Sequence, residues 1–191
     1  SRARKEASER LDQEVAGELG PLKLEKASFI TKLETVELAA GGPGGIDRIA
    51  FWVMTNPGTE PGPLMKVASG GELARFILAL KVVLAARGSA PTLVFDEADA
   101  GVGGATAAAV GERLARLAAK VQVLAVTHAP QVAAVANGHL LIAKEPVRGP
   151  QGEAMATRVA VLEGEHRREE IARMLAYIVF VQPAVLSAAG M

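Results

Sequence analysis

The 191-residue sequence contains no cysteine, and this absence excludes a disulfide framework and a cysteine-ligated zinc site. Only three histidines are present, which argues against a histidine-rich metal site. Aromatic residues make up 4% of the chain, so the core has to be built from Ala, Val, Leu and Ile. The net charge of zero argues against a strongly basic nucleic-acid-binding module, although it is compatible with a local basic patch.

Long apolar runs are also missing from the sequence. No run reaches the roughly 18 residues that a membrane span needs, because Lys81 interrupts the most apolar stretch. The charged N-terminus is unlike a signal peptide. We therefore predict a soluble, cytoplasmic protein with no membrane partner. Half of the residues are hydrophobic, which excludes disorder of the whole chain and predicts one domain, or one domain with an appendage.

The first 20 residues predict a charged helix that ends at Gly20-Pro21. Small and aliphatic side chains recur every four residues along it, at Ala3, Ala7, Leu11, Val15 and Leu19. This narrow apolar seam fits either a solvated surface helix or the end of a longer coiled coil. Because the sequence begins within the pattern, we expect a fragment, with residues 1–20 as the end of a coiled coil and residues 21–191 as the domain.

Beyond the first helix, short apolar segments alternate with helical patterns. Strands are expected near 27–33, 49–53, 92–95, 121–126, 140–143 and 157–162, and helices at 73–84, 104–119, from Pro130, and at 165–175. Several of the strands are apolar at consecutive positions, which is typical of strands buried on both faces. The alternation predicts the α/β class, with a mostly parallel sheet and flanking helices.

The first element with chemical content is Ser69-Gly70-Gly71-Glu72, which leads directly into an apolar helix. Serine followed three residues later by glutamate is a capping box. The two glycines let another group approach the backbone closely, and the free N–H groups of a helix start bind anions. Taken alone, an ordinary helix cap is the simpler interpretation.

The second element is the pair Asp96-Glu97, which follows the apolar strand at 92–95. Ligands of parallel sheets bind at the carboxyl ends of the strands. Neighbouring residues point in different directions there, so the two carboxylates can serve separate purposes. We predict that Asp96 holds Mg²⁺, mainly through water, and that Glu97 polarises an attacking water. Two exposed acids in a loop are the alternative interpretation.

Asp99 and His128 complete the set of candidate residues. Asp99 opens a glycine-rich turn that either serves an interface or merely leads into a helix. Residues 96–99 spell DEAD, but a helicase also needs an upstream phosphate loop, which is missing. His128 follows the strand at 121–126, and we expect it to face the same crevice as Asp96, where it can hydrogen-bond a γ-phosphate. A lone histidine is otherwise more often structural.

The order and spacing of these elements resemble the second half of an ATP-binding-cassette (ABC) ATPase. Residues 69–72 are similar to the signature motif of that family, Asp96 and Glu97 to its Walker B pair, Asp99 to its D-loop and His128 to its switch histidine. The residues around these motifs resemble the RecN family of DNA repair proteins, which is similar to the structural-maintenance-of-chromosomes (SMC) proteins. This closer resemblance rests on residues 56–58, 66–75, 95–104, 126–134 and 170–175.

The resemblance implies the C-terminal lobe of an ABC/SMC-type ATPase head, preceded by a helix derived from a coiled coil. Two heads would close around two ATP molecules and reopen on hydrolysis, moving coiled coils that hold broken double-stranded DNA. The roles implied are contact with the ATP of the opposite head for Ser69, Gly70, Gly71 and Glu72, support of Mg²⁺ for Asp96, orientation of water for Glu97, contact with the γ-phosphate for His128, and coupling of the two sites for Asp99.

A Walker A phosphate loop, Gly-x-x-x-x-Gly-Lys-Ser/Thr, is absent from the sequence, because no lysine follows a glycine. In SMC-type proteins that loop lies in an N-terminal segment beyond the coiled coil. The resemblance therefore implies three partners: a missing N-terminal Walker A half, a second head in a homodimer, and DNA. It also implies that the isolated chain is inactive as an ATPase, and that the protein lies at the bacterial nucleoid.

Three alternatives stay open: a head of another coiled-coil SMC-family ATPase, a non-catalytic scaffold for dimerisation or DNA binding, and a metal-dependent nuclease. The nuclease would use Asp96, Glu97 and Asp99, but no further acidic cluster follows a strand. The sequence does not locate a DNA-binding surface. Basic side chains that fit either phosphate contact or a solvated surface are Arg2, Arg4, Lys5, Arg10, Arg167 and Arg168.

Overall fold

The structure, a computed structural model, describes residues 2–37, 41–67, 70–85, 90–149 and 152–175. The chain divides into two compact units, residues 1–127 and 128–191. The predicted boundary at residue 20 stays a prediction. Within the described ranges, every helix is too short or too polar to cross a membrane.

The predicted N-terminal helix is α1, Arg2–Leu19, and it ends in a single 3-10 turn at Gly20–Leu22. Its apolar seam is buried only at the C-terminal end, where Val15 and Leu19 lie in the core, whereas Ala3 is exposed. Polar contacts fix the remainder of α1. Arg4 pairs with Asp47 at 2.9 Å, and the Asp12 carboxylate accepts a hydrogen bond from the Thr31 N–H at 2.9 Å.

Three strands form an antiparallel sheet in the order β1-β2-β3. They span Ser28–Thr35, Asp47–Met54 and Gly62–Pro63, and the register of the long pair runs from Ser28 opposite Met54 to Thr35 opposite Asp47. Phe29 lies opposite Val53, and both are buried. The prediction that strand 49–53 is buried on both faces is wrong, because Ile49 and Ala50 are exposed. Consecutive strand residues point to opposite faces, so both faces of the sheet are exposed at this end of β2.

The candidate site lies in the alternating part of the first unit. It comprises α2 (Leu64–Val67), α3 (Gly70–Val83), β4 (Thr92–Asp96), α4 (Gly104–Ala118) and β5 (Gln122–Val126). β4 and β5 pair in parallel, from Thr92 opposite Gln122 to Asp96 opposite Val126, because α4 carries the chain back between them. α3 packs against α4, and α4 packs against β5. The α/β class and the parallel sheet with flanking helices are confirmed.

Parallel pairing within the described ranges is confined to β4 and β5, which makes it less extensive than predicted. The expectation of full burial for these two strands is also wrong. Phe95 is buried, but Val94 is 66% exposed, and Leu124 and Val126 on the paired strand are exposed as well. The register places Val94 opposite Leu124, so the exposed residues form one continuous apolar face. No described element covers that face.

The second unit begins with the short helix α5, Pro130–Val135, followed by β6, Leu140–Gly149, and β7, Gly152–Val161. A final helix, α6, occupies residues 164–175. We predicted that the strands at 140–143 and 157–162 belong to the parallel sheet, and this is wrong. They form an antiparallel hairpin of two ten-residue strands, because the two residues between the strands are too few for a parallel crossover.

Candidate nucleotide-binding site

The start of α3 lies against the turn that follows β4. A Cβ placed on Gly71 would come 3.1 Å from the Ala100 carbonyl oxygen and 3.4 Å from the Ala100 Cβ. Any side chain at position 71 would therefore push the turn away. Gly70 is exposed and Glu72 lies in the first helical turn, where its charge suits the positive end of the helix dipole. Ser69 lies outside the described residues, so the predicted capping box stays a prediction.

The two acids predicted to act in catalysis lie at the carboxyl end of β4. Asp96 is the last strand residue, and both Asp96 and Glu97 are exposed. The Glu97 backbone has a φ of 50°, in the left-handed region that only glycine adopts easily. Its N–H donates to the Val126 carbonyl at 3.1 Å, and its carbonyl accepts from the Ala100 N–H at 2.9 Å. These two bonds hold the strained residue in place, and such strain is typical of functional sites.

Asp99 is 1% exposed, and one carboxylate oxygen accepts a hydrogen bond from the Thr127 hydroxyl at 2.8 Å. Its carbonyl accepts from the Val102 N–H at 3.2 Å, which closes the next part of the turn. The side chain therefore ties the turn to the residue that follows β5. Its predicted role in coupling two heads stays a prediction, and any such role has to act through the shape of the turn, because the carboxylate is buried.

The structure brings three of the predicted site positions together in the first unit. All three lie around Ala100. The Ala100 carbonyl lies against Gly71, the Ala100 N–H donates to the carbonyl of Glu97, and Asp99 precedes Ala100 in the sequence. His128 is exposed and is the first residue of the second unit. Its predicted place beside Asp96 stays a prediction.

Sequence reasoning missed two polar residues of the site. Arg75 is 6% exposed and donates from Nη1 to the Ala100 carbonyl at 3.2 Å. The available signal was a charged residue within residues 73–80 of α3, which are otherwise apolar. Thr127, which donates to Asp99, gave no signal, because a threonine after a strand is common and its partner is 28 positions away in the sequence.

The carboxylates fit a magnesium ion that is bound together with a nucleotide. No group of three or more acids or histidines able to enclose a metal occurs among the described residues. Mg²⁺ does not need such a cage, because it commonly binds one or two carboxylates, several waters and the phosphates of its substrate. The exposed carboxylate of Asp96, with Glu97 next to it, would provide the protein's part of such a site.

Most of the basic side chains considered for DNA contact bond within the chain. Arg2 pairs with Glu6, and Arg4 pairs with Asp47 and donates to the Gly44 carbonyl. In the second unit, Arg167 donates to carbonyl oxygens at the end of α5, and Arg168 pairs with Glu165. These contacts favour the solvated-surface interpretation for both groups of cations.

Comparison with known proteins identifies the relatives of the chain, although no protein-family model matches it. It is 45% identical over 184 residues to a DNA repair protein RecN from Streptomyces coelicolor, covering 91% of this chain and 32% of that protein. It is 42% identical over 194 residues to RecN from Mycobacterium leprae, covering 92% of this chain and 32% of that protein. The chain is a relative of the RecN proteins. It spans about a third of their length.

Solved SMC heads share the fold of this RecN-related chain. An Smc head domain with a coiled coil and joint from Pyrococcus yayanosii matches with a TM-score of 0.59 at 19% identity, over 86% of this chain and 29% of that one. A chain from work on ATP-driven dimerization and DNA-stimulated activation of SMC ATPases matches with a TM-score of 0.52 at 18% identity, over 91% of this chain and 96% of that one. The predicted fold of an SMC-type head is confirmed.

Proposed function

We propose that this chain supplies the signature motif, the Walker B pair and the switch histidine of an SMC-like ATPase head that acts in the repair of broken DNA. The Walker A loop would come from an N-terminal segment of the same protein. Kinship with RecN proteins and the SMC head fold support the proposal. Double-stranded DNA, a second copy of the head and a location at the bacterial nucleoid belong to the same proposal.

One observation carries the proposal: a continuous connection from the start of α3 to the exposed acids at the end of β4. Gly71 abuts Ala100, and the Ala100 N–H donates to the carbonyl of Glu97. The helix start is suited to a phosphate because its N–H groups point outward. The strand end carries the groups suited to Mg²⁺ and water. A nucleotide bound between two heads needs both kinds of surface on every head.

The proposed roles follow from the chemistry of each group. Gly70 and Gly71 offer backbone N–H groups to the γ-phosphate of the ATP held by the opposite head, with Ser69 and Glu72 beside them. Asp96 holds the magnesium ion, which when bound neutralises developing phosphate charge. Glu97 accepts a proton from, and orients, the attacking water. His128 hydrogen-bonds the γ-phosphate from its own head, and Asp99 shapes the turn between these surfaces.

The exposed apolar face of β4 and β5 supports the proposal of a missing N-terminal segment. An isolated two-stranded sheet is marginally stable, and strands of α/β proteins are normally covered on both faces. Val94, Leu124 and Val126 form a face that no described element covers. We propose that the segment carrying the Walker A loop covers this face and completes the sheet.

Hydrolysis of ATP by this chain, alone and mixed with the N-terminal segment of the same protein, tests the proposal. Activity is expected only in the mixture and is expected to rise with double-stranded DNA. Activity of the chain alone would contradict the need for a second segment. An inactive mixture in which the two segments are shown to associate would favour a non-catalytic scaffold. DNA cleavage that depends on Mg²⁺ and not on nucleotide would favour the nuclease.

Glu97→Gln in the whole protein is expected to abolish turnover, because the amide cannot accept the proton of the attacking water. The loss is expected to be at least about 100-fold in kcat, with ATP binding and closure of the heads retained. The matched control is Glu60→Gln, which removes the charge of another exposed glutamate outside the site. Turnover that survives Glu97→Gln, measured as phosphate release, would remove Glu97 from its proposed role.

A further inference from the structure

Arg75 is a buried cation on α3, five positions after the helix begins. It is 6% exposed and donates from Nη1 to the Ala100 carbonyl oxygen at 3.2 Å. Its Nε is buried and makes no hydrogen bond within the part of the chain that the structure describes. Burial lowers the pKa of the guanidinium, and the nearby Glu72 carboxylate partly opposes that shift. Arginine nevertheless stays protonated near neutral pH.

Burying the Arg75 charge costs hydration free energy. A side chain that only filled this space could be uncharged. A buried charge without full hydrogen bonding loses more hydration energy than it regains, and an apolar side chain of similar volume is often as stable or more so. Arg75 therefore adds something other than packing, and its hydrogen bond to Ala100 shows where it acts.

Ala100 is the point at which two surfaces of the head meet. The Nη1 atom of Arg75 lies 3.4 Å from the position of a Cβ on Gly71, and both residues contact the Ala100 carbonyl. The N–H of Ala100 donates to the carbonyl of Glu97 at 2.9 Å. A displacement of the α3 start therefore reaches the backbone of Glu97 through a single residue, with the guanidinium as the polar link.

We propose that Arg75 is a positioning residue that links the phosphate-contacting start of α3 to the turn carrying Glu97, so that contact with the partner's nucleotide sets the geometry of the head's own water-orienting carboxylate. This inference rests on the proposed function. It adds a direction of communication: each head's α3, which serves the ATP of the opposite head, controls hydrolysis of the ATP that the head holds itself.

Arg75→Met in the full-length protein removes the hydrogen bond and the charge while keeping an unbranched side chain. The expected result is a fall in kcat of about fivefold or more, the size typical of a broken coupling, with a smaller change in KM for ATP. Arg75→Lys keeps the charge and is expected to lose less. Thermal unfolding of both variants separates this effect from a loss of folded protein, and Arg75→Lys replaces Arg75→Met in every assay if the latter does not fold.

Mixed dimers give the decisive test, because Glu97→Gln on one head silences the ATP held by that head and leaves one live site. In the first arrangement, Arg75→Met is on the head whose Glu97 is intact. In the second arrangement, it is on the other head, whose α3 contacts the ATP of the live site. A positioning link predicts a loss of about fivefold or more in the first arrangement, relative to dimers that carry Glu97→Gln alone. A purely local effect on phosphate contact predicts a loss only in the second arrangement.

The outcomes separate the inference from the function on which it rests. A loss in the first arrangement supports the link. A loss in the second arrangement only, or in neither, overturns the link while leaving the ATPase proposal intact. Wild-type protein that hydrolyses no ATP overturns both.

Discussion

α4 and β5 are consecutive elements that both carry aliphatic side chains, yet they differ in how far the chain itself buries them. α4 has seven buried residues, namely Ala107, Ala109, Val110, Gly111, Arg113, Leu114 and Leu117. β5 has none, and Leu124 and Val126 face solvent. The helix finds its partners in α3, the 3-10 turn and β5. The described residues therefore cover the buried side of α4, whereas they leave the apolar face of β4 and β5 uncovered.

Two leucine-to-alanine changes provide the strongest test of this difference. Leu117 in α4 is 1% exposed, and Leu124 in β5 is 47% exposed. In the isolated chain, Leu117→Ala is expected to lower the free energy of unfolding by about 2–5 kcal/mol, because it removes buried contacts and leaves a cavity. Leu124→Ala is expected to cost less than about 1 kcal/mol. Urea denaturation of both variants measures the two values.

The same two variants also test whether the N-terminal segment binds the β4–β5 face. If that segment covers the β4–β5 face, Leu124→Ala weakens its association with the chain, whereas a folded Leu117→Ala chain associates as the wild type does. Titration of the segment against each variant measures this. Equal association by the wild type and Leu124→Ala would show that the segment binds elsewhere.

The contrast between α4 and β5 also marks the limit of what the sequence predicted. Periodicity identified both elements, because it depends on local spacing alone. The burial of Leu124 was predicted wrongly, because an apolar strand residue indicates that a partner exists but not that the partner lies in the same chain. The long hairpin of the second unit was placed in the parallel sheet for a similar reason: strand patterns do not carry the direction of pairing.

In the candidate site, too, local spacing was predictable from the sequence and long-range contacts were not. Motif spacing predicted Gly71 and Glu97, and the structure places both beside Ala100. The burial of Asp99 and the hydrogen-bond partners of Arg75 and Thr127 were not predictable, because each depends on a contact between residues more than 20 positions apart. Long-range polar contacts leave no periodic trace in a sequence.

A second pair of variants extends the comparison to charged residues of α4. Arg113 and Arg116 both bond the carboxylate of Glu18 at 3.0 Å, but the Arg113 side chain is buried and that of Arg116 is exposed. Arg113→Met is expected to cost about 1–3 kcal/mol, because it also leaves a sequestered carboxylate with one partner fewer. Arg116→Met is expected to cost less than about 1 kcal/mol. Equal shifts in the urea midpoint would show that Glu18 is effectively solvated and that burial does not distinguish the two bonds.

The smallest expected effect concerns the pH dependence of α6, in the second unit. A hydrogen bond from Arg173 lowers the pKa of the Glu170 carboxyl, burial opposes this shift, and the charges of Arg173 and His139 add to it. A lowered pKa in the folded state gives stability that is present above the unfolded pKa and is lost as the pH falls through the folded value.

Glu170→Gln should therefore cost no more than about 1 kcal/mol near neutral pH, because Arg173 is exposed and water screens the pair. The difference from wild type should shrink as the pH falls and vanish once Glu170 is protonated in the folded state as well. Urea midpoints at neutral pH and at successively lower pH values measure this change. Glu169→Gln, on the same helix, is the control for loss of an exposed carboxylate, whose partner is the exposed His166 at 3.5 Å. If Glu170→Gln lowers the urea midpoint by the same amount in acid, the Glu170 side chain acts by packing. α6 would then be stabilised by contacts within the chain, as α4 is.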